Sequence, residues 1–278
     1  MARISTCSGR VHVGAAGDGS AGMLTAEPAM PVLQGDVIRT GPDGVATVEL
    51  KDSSMVRVGR DSELRLVALR IDESGERHVR IEVVAGQVEA AVHHAAASSS
   101  FAASSRVAVA AVRGTQFRLA LEPAGSSRLE TLQGAVDLRS ALSPVPPGPV
   151  SPGGPKVPVV DVRALYGARI LRDGQPTGVH RLPAAPTLES PLEGPLPRNP
   201  KLRFSAVEGA VEYRIQLAQD ADFITAAREH VTLGTTVDVG HAFGGPPPPG
   251  KWFWSVVAVD AAGYAGPPSQ VYAFTVDR

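Results

Sequence analysis

Val45-Ala46-Thr47-Val48-Glu49-Leu50 decides the fold, because Ala46, Val48 and Leu50 fall on one face of an extended chain and the polar residues on the other. A period of two among β-branched residues is the pattern of a half-buried strand. The same alternation recurs in Glu63-Leu64-Arg65-Leu66-Val67 and in Val79-Arg80-Ile81-Glu82-Val83, the latter with Arg80 and Glu82 facing out. Gly41-Pro42-Asp43-Gly44, Lys51-Asp52-Ser53-Ser54 and Glu73-Ser74-Gly75 separate these runs and supply turn chemistry. A strand and turn about every ten residues predicts an all-β sandwich, roll or barrel.

Composition bounds what such a chain does. The 278 residues suffice for one large or two ordinary domains, each with its own core. Gly (29) and Pro (24) are abundant, yet 43% apolar residues argue for folded material. A net charge of −1 gives no field to steer the protein toward nucleic acid or an anionic membrane, so neither is an expected partner. Cys7 is the only cysteine; it excludes an internal disulfide and a cysteine-based zinc site and reads as a structural thiol in the first strand. No run of 18 apolar residues is present, so no membrane span is expected. Met1-Ala2-Arg3-Ile4 is not a signal peptide, which means that either the protein stays inside or a leader is missing from this sequence.

Three Gly-x-Val triplets, Gly9-Arg10-Val11, Gly86-Gln87-Val88 and Gly134-Ala135-Val136, each read as the head of a strand where a bend re-aims the chain. Their unequal spacing excludes a solenoid of fixed period. From Ser143 to Pro200 the chain carries 14 of the 24 prolines and reads as a semi-rigid linker, in which Val157–Arg163 and Gly167–Arg172 form short docking strands. Alternation resumes near Leu202. Val211, Tyr213, Ile215 and Leu217 share a face, Trp252 and Trp254 point one way with Val256 and Ala258 behind them, and Val271–Val276 is a last strand. Asp220–Glu229 is the one segment where a helical turn fits, and Gly244–Gly250 reads as a rigid loop before the tryptophan strand. About 90 such residues suit an immunoglobulin-like sandwich.

Six stretches occur in an order that resembles FecR domains: Gly35-Asp36-Val37-Ile38-Arg39-Thr40-Gly41, Lys51–Val58, Ser62-Glu63-Leu64, Gly86-Gln87-Val88, Arg113-Gly114-Thr115-Gln116-Phe117, and Leu132-Gln133-Gly134-Ala135-Val136. The family's Asp-Gly-Ser is Asp52-Ser53-Ser54 here. The resemblance covers roughly Ser5–Ser140. The C-terminal part, through Phe204, Ala210–Ala218, Asp220–Phe223, Trp252-Phe253-Trp254 and Ala258–Pro268, resembles the fibronectin type III-like module that follows FecR domains in some bacterial envelope proteins. The resemblance implies a periplasmic or cell-envelope setting in signalling or envelope organisation. An upstream LysM domain, and the cytoplasmic segment and membrane helix of iron-citrate type regulators, are not in this sequence, so no direct anti-sigma-factor role is expected.

The expected domains are therefore 1–143, a FecR-like β-roll or sandwich; 144–185, a Pro/Gly-rich linker; and 186–278, a fibronectin type III-like sandwich. Gly35, Asp36, Thr40, Gly86, Arg113, Gly114, Thr115, Phe117 and Gly134 carry the family motif and read as structural: Gly114 permits an unusual backbone, Thr115 hydrogen-bonds locally, and Phe117 anchors the core beside Leu119 and Leu121. Arg113 is the exposed candidate there. His93-His94 does not suit one metal, since adjacent strand residues face opposite ways. Ser98-Ser99-Ser100 and Ser104-Ser105 lack an evident His and Asp to activate a nucleophile. Asp18-Gly19-Ser20 and Asp173-Gly174-Gln175 are turn signals with too few oxygen ligands for calcium. No catalytic residue, metal or cofactor is expected. The leading reading is a non-catalytic envelope protein whose partner is another envelope protein. The alternative is a peptidoglycan- or exopolysaccharide-binding module that uses Trp252 and Trp254 as an aromatic platform, with Tyr264 extending an edge; against it stands the commoner reading that both tryptophans fill the sandwich core.

Overall fold

A computed structural model describes residues 2–17, 22–71, 76–93, 99–142, 158–190, 195–196, 199–224 and 227–277. The chain is nearly all β and divides into two compact units, Met1–Arg181 and Leu182–Arg278.

In the first unit the strands are β1 (Ala2–Ser8), β2 (Val11–Ala15), β3 (Leu24–Thr25), β4 (Pro31–Val32), β5 (Asp36–Thr40), β6 (Val45–Leu50), β7 (Met55–Val58), β8 (Glu63–Ile71) and β9 (Arg77–Ala91). They continue as β10 (Ser100–Ser104), β11 (Ala108–Val112), β12 (Gln116–Leu121), β13 (Ser127–Gln133), β14 (Ala135–Ser140), β15 (Val159–Arg163), β16 (Tyr166–Ile170) and β17 (His180–Arg181). Pairing orders them into two layers. One runs β4-β1-β6-β7-β9-β12-β13-β16-β17 and the other β3-β2-β5-β8-β9-β10-β11-β14-β15. Strand β9 belongs to both. Residues 77–85 pair in the second layer and 86–91 in the first, with the earlier strands on one side of it and the later strands on the other. All pairings are antiparallel except β9 with β10, where the chain crosses between layers and returns.

The inward side chains of both layers form one core, including Ile4, Val48, Val58, Phe117 and Leu119 from the first and Ile38, Leu64, Leu66, Ile81 and Leu138 from the second. Phe101 and Phe117 meet edge to face at 6.3 Å across it. Such burial is worth about 1.5–3 kcal/mol per large aliphatic or aromatic side chain and drives the layers together.

Gly86 lies inside β9, not at the head of a new strand. Its φ of +69° bends the strand, and the buried set changes phase from Val79, Ile81 and Val83 to Val88 and Ala90. A Cβ at Gly86 would stand 2.6 Å from the Asp61 carbonyl oxygen and against Ser62 Oγ, so no other residue fits. Gly9 and Gly134 mark two further corners where the chain changes layer. Backbone bonds tie the corners together: Gly41 N–H donates to Arg10 C=O, Asp61 N–H to Gly41 C=O, and Gly59 N–H to Gln87 C=O.

The segment expected as a linker over 144–185 differs from the structure. Val159–Arg163 extends one layer beside β14, and Tyr166–Ile170 extends the other beside β13, so both belong to the first unit, which ends at Arg181. Their alternating Val162, Ala168 and Ile170 are fully buried, and this core contribution outweighs the regional proline content. The proline-dense stretch 143–157 lies outside the described residues.

The second unit is a sandwich of two sheets. One orders β18 (Leu188–Ser190), β20 (Lys201–Phe204) and β23 (Thr236–Asp238). The other orders β19 (Pro195–Leu196), β25 (Tyr272–Val276), β24 (Gly250–Asp260), β21 (Ala210–Ala218) and β22 (Arg228–Thr232). Trp252, Trp254, Val256 and Ala258 from β24 pack with Tyr213, Ile215, Leu217, Phe204 and Phe274 in its core. Val211 does not join them; a register shift between Ala210 and Glu212 turns it out, and it is half exposed. Asp220–Glu229 is not helical in its described part. Asp220 Oδ1 accepts the N–H groups of Asp222 and Ile224, Phe223 takes a φ of +54°, and β22 begins at Arg228. The only α-helix among the described residues is α1 (Val239–Ala242), capped by Asp238.

Candidate functional site

The family-motif residues converge on the corners. Gly35, with φ +95°, donates its N–H to Leu66 C=O at 2.7 Å, and the adjacent Asp36 carboxylate accepts the Leu33 N–H at 2.8 Å to close the turn into β5. Thr40 is buried at the end of β5; its hydroxyl donates to Gly59 C=O at 2.5 Å and accepts the Ser62 N–H at 3.0 Å, pinning the β7–β8 corner. Ser62 Oγ in turn accepts the Gln87 N–H at 3.0 Å beside Gly86. Thr115 C=O accepts the Val92 N–H at 2.8 Å, and the Thr115 methyl stands where a Cβ on Gly134 would come within 2.6 Å. The two corners therefore require each other. The Thr115 hydroxyl departs from expectation: it is buried with no hydrogen-bond partner among the described residues. Phe117 and Leu119 are fully buried and Leu121 packs against the same core.

Arg113 is the motif residue whose side chain is exposed. It stands on the rim of a shallow cleft between the layers with Asp52, Arg77, His93, Ser99 and Gly114. Arg77 reaches Asp52 at 3.8 Å. His93 is exposed and donates its N–H to Ser54 Oγ; His94 lies outside the described residues, so the pair is not seen together. The cleft thus presents two guanidinium groups, one imidazole and one carboxylate, a surface suited to an anionic or polar contact.

The serine hydroxyls are engaged locally. Ser99 Oγ accepts the Arg77 N–H, Ser100 Oγ meets His78 Nδ1 at 2.9 Å, Ser104 Oγ donates to Ile81 C=O, and Ser105 Oγ bonds Ser127 Oγ at 2.6 Å. Ser98 and Asp18-Gly19-Ser20 lie outside the described residues. Asp173 accepts the Gln175 N–H in a turn. Among the described residues no three His, Cys, Asp or Glu side chains cluster for a metal. Cys7, half-buried in β1, donates to Ala26 C=O, and burial followed by the Glu27 charge raises its thiol pKa.

Sequence reading passed over a charged ladder on the outer face of the first layer. Cross-strand register aligns Arg57, Glu89, Arg118 and Glu130 over β7, β9, β12 and β13. Arg118 bonds Glu89 at 2.9 Å and Glu130 at 3.4 Å; Arg128 joins Glu130 to Glu122, and Glu122 accepts from Arg169. Burial alone would raise the Glu89 carboxyl pKa, but the Arg118 charge and the hydrogen bonds from Arg118 and Gln116 hold it below the usual range. Burial likewise opposes the shift at Glu122, where bonds from Arg169 and Ser126 prevail and lower it. The Arg118 guanidinium is held above its ordinary value by Glu89 and Glu130 against the effect of its own burial. Single-sequence alternation shows these residues only as outward; the register that joins them is a tertiary fact.

Trp252 and Trp254 fill the core, and the alternative of an aromatic platform extended by Tyr264 finds no exposed ring. Both tryptophans have 0% exposure and Tyr264 has 3%. Trp252 Nε1 donates to Pro248 C=O and its ring lies under the Arg228 guanidinium at 5.6 Å. The rings fill the sandwich core because both fall on the inward face of β24.

The first unit is thus a creased two-layer β structure whose corners carry a spaced glycine and threonine motif. Residues 36–137 match the family described as FecR protein, and the first unit carries a FecR-type domain. Comparison with curated proteins yields no match. Two crystal structures of a candidate anti-sigma factor from Parabacteroides distasonis are similar at 14% and 16% identity, with TM-scores of 0.40 and 0.39 and 52% of this chain covered. This chain spans 59% of the length of that protein. An Fn3-like protein from Clostridium thermocellum is similar at 19% identity over 34% of this chain and 92% of its own, with a TM-score of 0.22. Among the described residues no helix is long and apolar enough to cross a membrane.

Proposed function

We propose that this chain is a non-catalytic module of the bacterial cell envelope, acting in signalling or envelope organisation, in which the FecR-type unit binds another protein. One observation carries the reading. The other motif residues have structural duties at the corners or in the core, while Arg113 alone among them extends an exposed side chain, on the rim of the cleft with Arg77 and His93. The second unit then acts as a companion or spacing module. With Trp252 and Trp254 buried, glycan stacking loses the residues it would use.

The test compares the wild-type chain with Arg113→Glu. Each is immobilised and exposed to solubilised envelope proteins and, separately, to purified peptidoglycan sacculi. The reading expects a discrete protein retained by wild type and lost with Arg113→Glu, followed by the same difference in a purified two-component titration. Retention on sacculi alone, or a purified complex indifferent to Arg113→Glu, would refute it.

A further inference from the structure

Strand β15 is the terminal strand of its layer. It pairs with β14 through Ala135↔Arg163, Val136↔Val162, Asp137↔Asp161, Leu138↔Val160 and Arg139↔Val159, and with no other strand among the described residues. Ala164 N–H donates to Gly134 C=O, which fixes the phase: the even-numbered residues 160 and 162 turn their backbone groups toward β14, and 159, 161 and 163 turn theirs outward. The outward side chains are Val159 at 54% exposure, Asp161 at 49% and Arg163 at 79%. An open edge of this kind accepts another strand unless something blocks it.

We propose that this edge pairs with the same edge of a second copy, antiparallel about a two-fold axis at Val162. The occupant follows from register. Two-fold pairing of the outward groups leaves few choices. Centring on Asp161 sets two aspartates face to face and Val159 against Arg163, and centring on Arg163 opposes two arginines; both are unfavourable. Centring on Val162 places Asp161 opposite the second copy's Arg163 and Arg163 opposite its Asp161, and it brings exposed Val159 toward Leu165, which is 45% exposed. Within one copy Asp161 and Arg163 already contact at 3.0 Å, so the dimer would close an alternating four-charge cluster. Asp137, directly opposite Asp161 on β14, adds negative charge that favours an incoming arginine. The edge is self-complementary, as a two-fold contact demands. It is also short, which makes the dimer a weak, concentration-dependent one.

Sedimentation velocity of the full chain over a concentration series tests this. Wild type is expected to shift toward dimer with concentration, and less so in high salt. Asp161→Arg or Arg163→Asp alone sets like charges together and is expected to weaken association by about tenfold, while the double exchange restores it. In a Cys7→Ser background, mixing Asp161→Cys chains with Arg163→Cys chains should give a mixed disulfide, because the paired residues lie within disulfide reach. Self-cross-linking of Asp161→Cys in preference to the mixed product would overturn the register. Monomer at all concentrations with no mixed cross-link, or slow hydrogen exchange of the Asp161 and Arg163 amides in a monomer, would overturn the proposal and show the edge to be covered from within the chain.

Discussion

Replacing Gly86 with alanine tests the crease of β9 directly. At φ +69° the added methyl costs about 1–2 kcal/mol in backbone strain. It also meets Asp61 C=O at 2.6 Å and Ser62 Cα at 2.8 Å, both backbone atoms that cannot rotate aside. Moving them disturbs the Ser62 Oγ bonds to Gln87 N–H and Arg60 C=O, each worth about 0.5–1.5 kcal/mol. The expected loss is about 2–4 kcal/mol. Gly35→Ala is the control: Gly35 also has positive φ, but a Cβ there meets nothing within 4 Å, so its cost is backbone strain alone, about 1–2 kcal/mol. Urea denaturation followed by far-UV circular dichroism, with hydrogen exchange of the β9 amides, reads the difference. Both tryptophans lie in the second unit, so their fluorescence gives a separate record of that unit. Equal losses for the two variants would refute the account of a crease held by close backbone approach.

Thr115→Val should be neutral or stabilising in thermal melts, because it removes a buried hydroxyl that has no partner among the described residues; a loss above about 1 kcal/mol would show that the hydroxyl is satisfied. Trp254→Ala should cost about 3–5 kcal/mol in the melt of the second unit, followed by the fluorescence of the remaining Trp252, and a near-neutral result would contradict its burial. Glu130→Gln removes one of the two carboxylates that each of Arg118 and Arg128 contacts, leaving Glu89 and Glu122 in place, and should destabilise by about 1.5–3 kcal/mol; denaturant midpoints within error of wild type would sink the ladder as a stabilising element. Glu89 and Glu122 have folded pKa values below their unfolded ones. Their contribution is therefore present above the ordinary glutamate value of about 4.3 and is lost as pH falls through the lower folded values. Stability measured from pH 6 down to pH 2 should fall in that window, and a flat profile there would contradict the shifts.

The all-β class was legible because Val45–Leu50 and Val79–Val83 alternate without helical rivals. The glycine corners were legible as bends, but not the fact that Gly86 bends one continuous strand, since a phase change in burial looks in sequence like a strand ending. The strands after Pro158 were visible as short runs, and proline density hid that they complete both layers. The tryptophans were ambiguous because period two says that Trp252 and Trp254 share a face and not which face turns inward. The Asp220 segment misled for a related reason: a charged start followed by Ala and Phe suits a helix locally, yet its Asx turn and the pairing of β22 with β21 prevail.

Strand β9 has one more consequence, for synthesis on the ribosome. Every strand from β1 to β8 lies to one side of it and every later strand of the first unit to the other, so a nascent chain that has emerged only as far as Ala91 holds two half-built sheets, each with its central edge bare. Such a species invites mispairing with its neighbours until β10 and β12 arrive. The vulnerable interval in the life of this protein would fall midway through translation of its first unit.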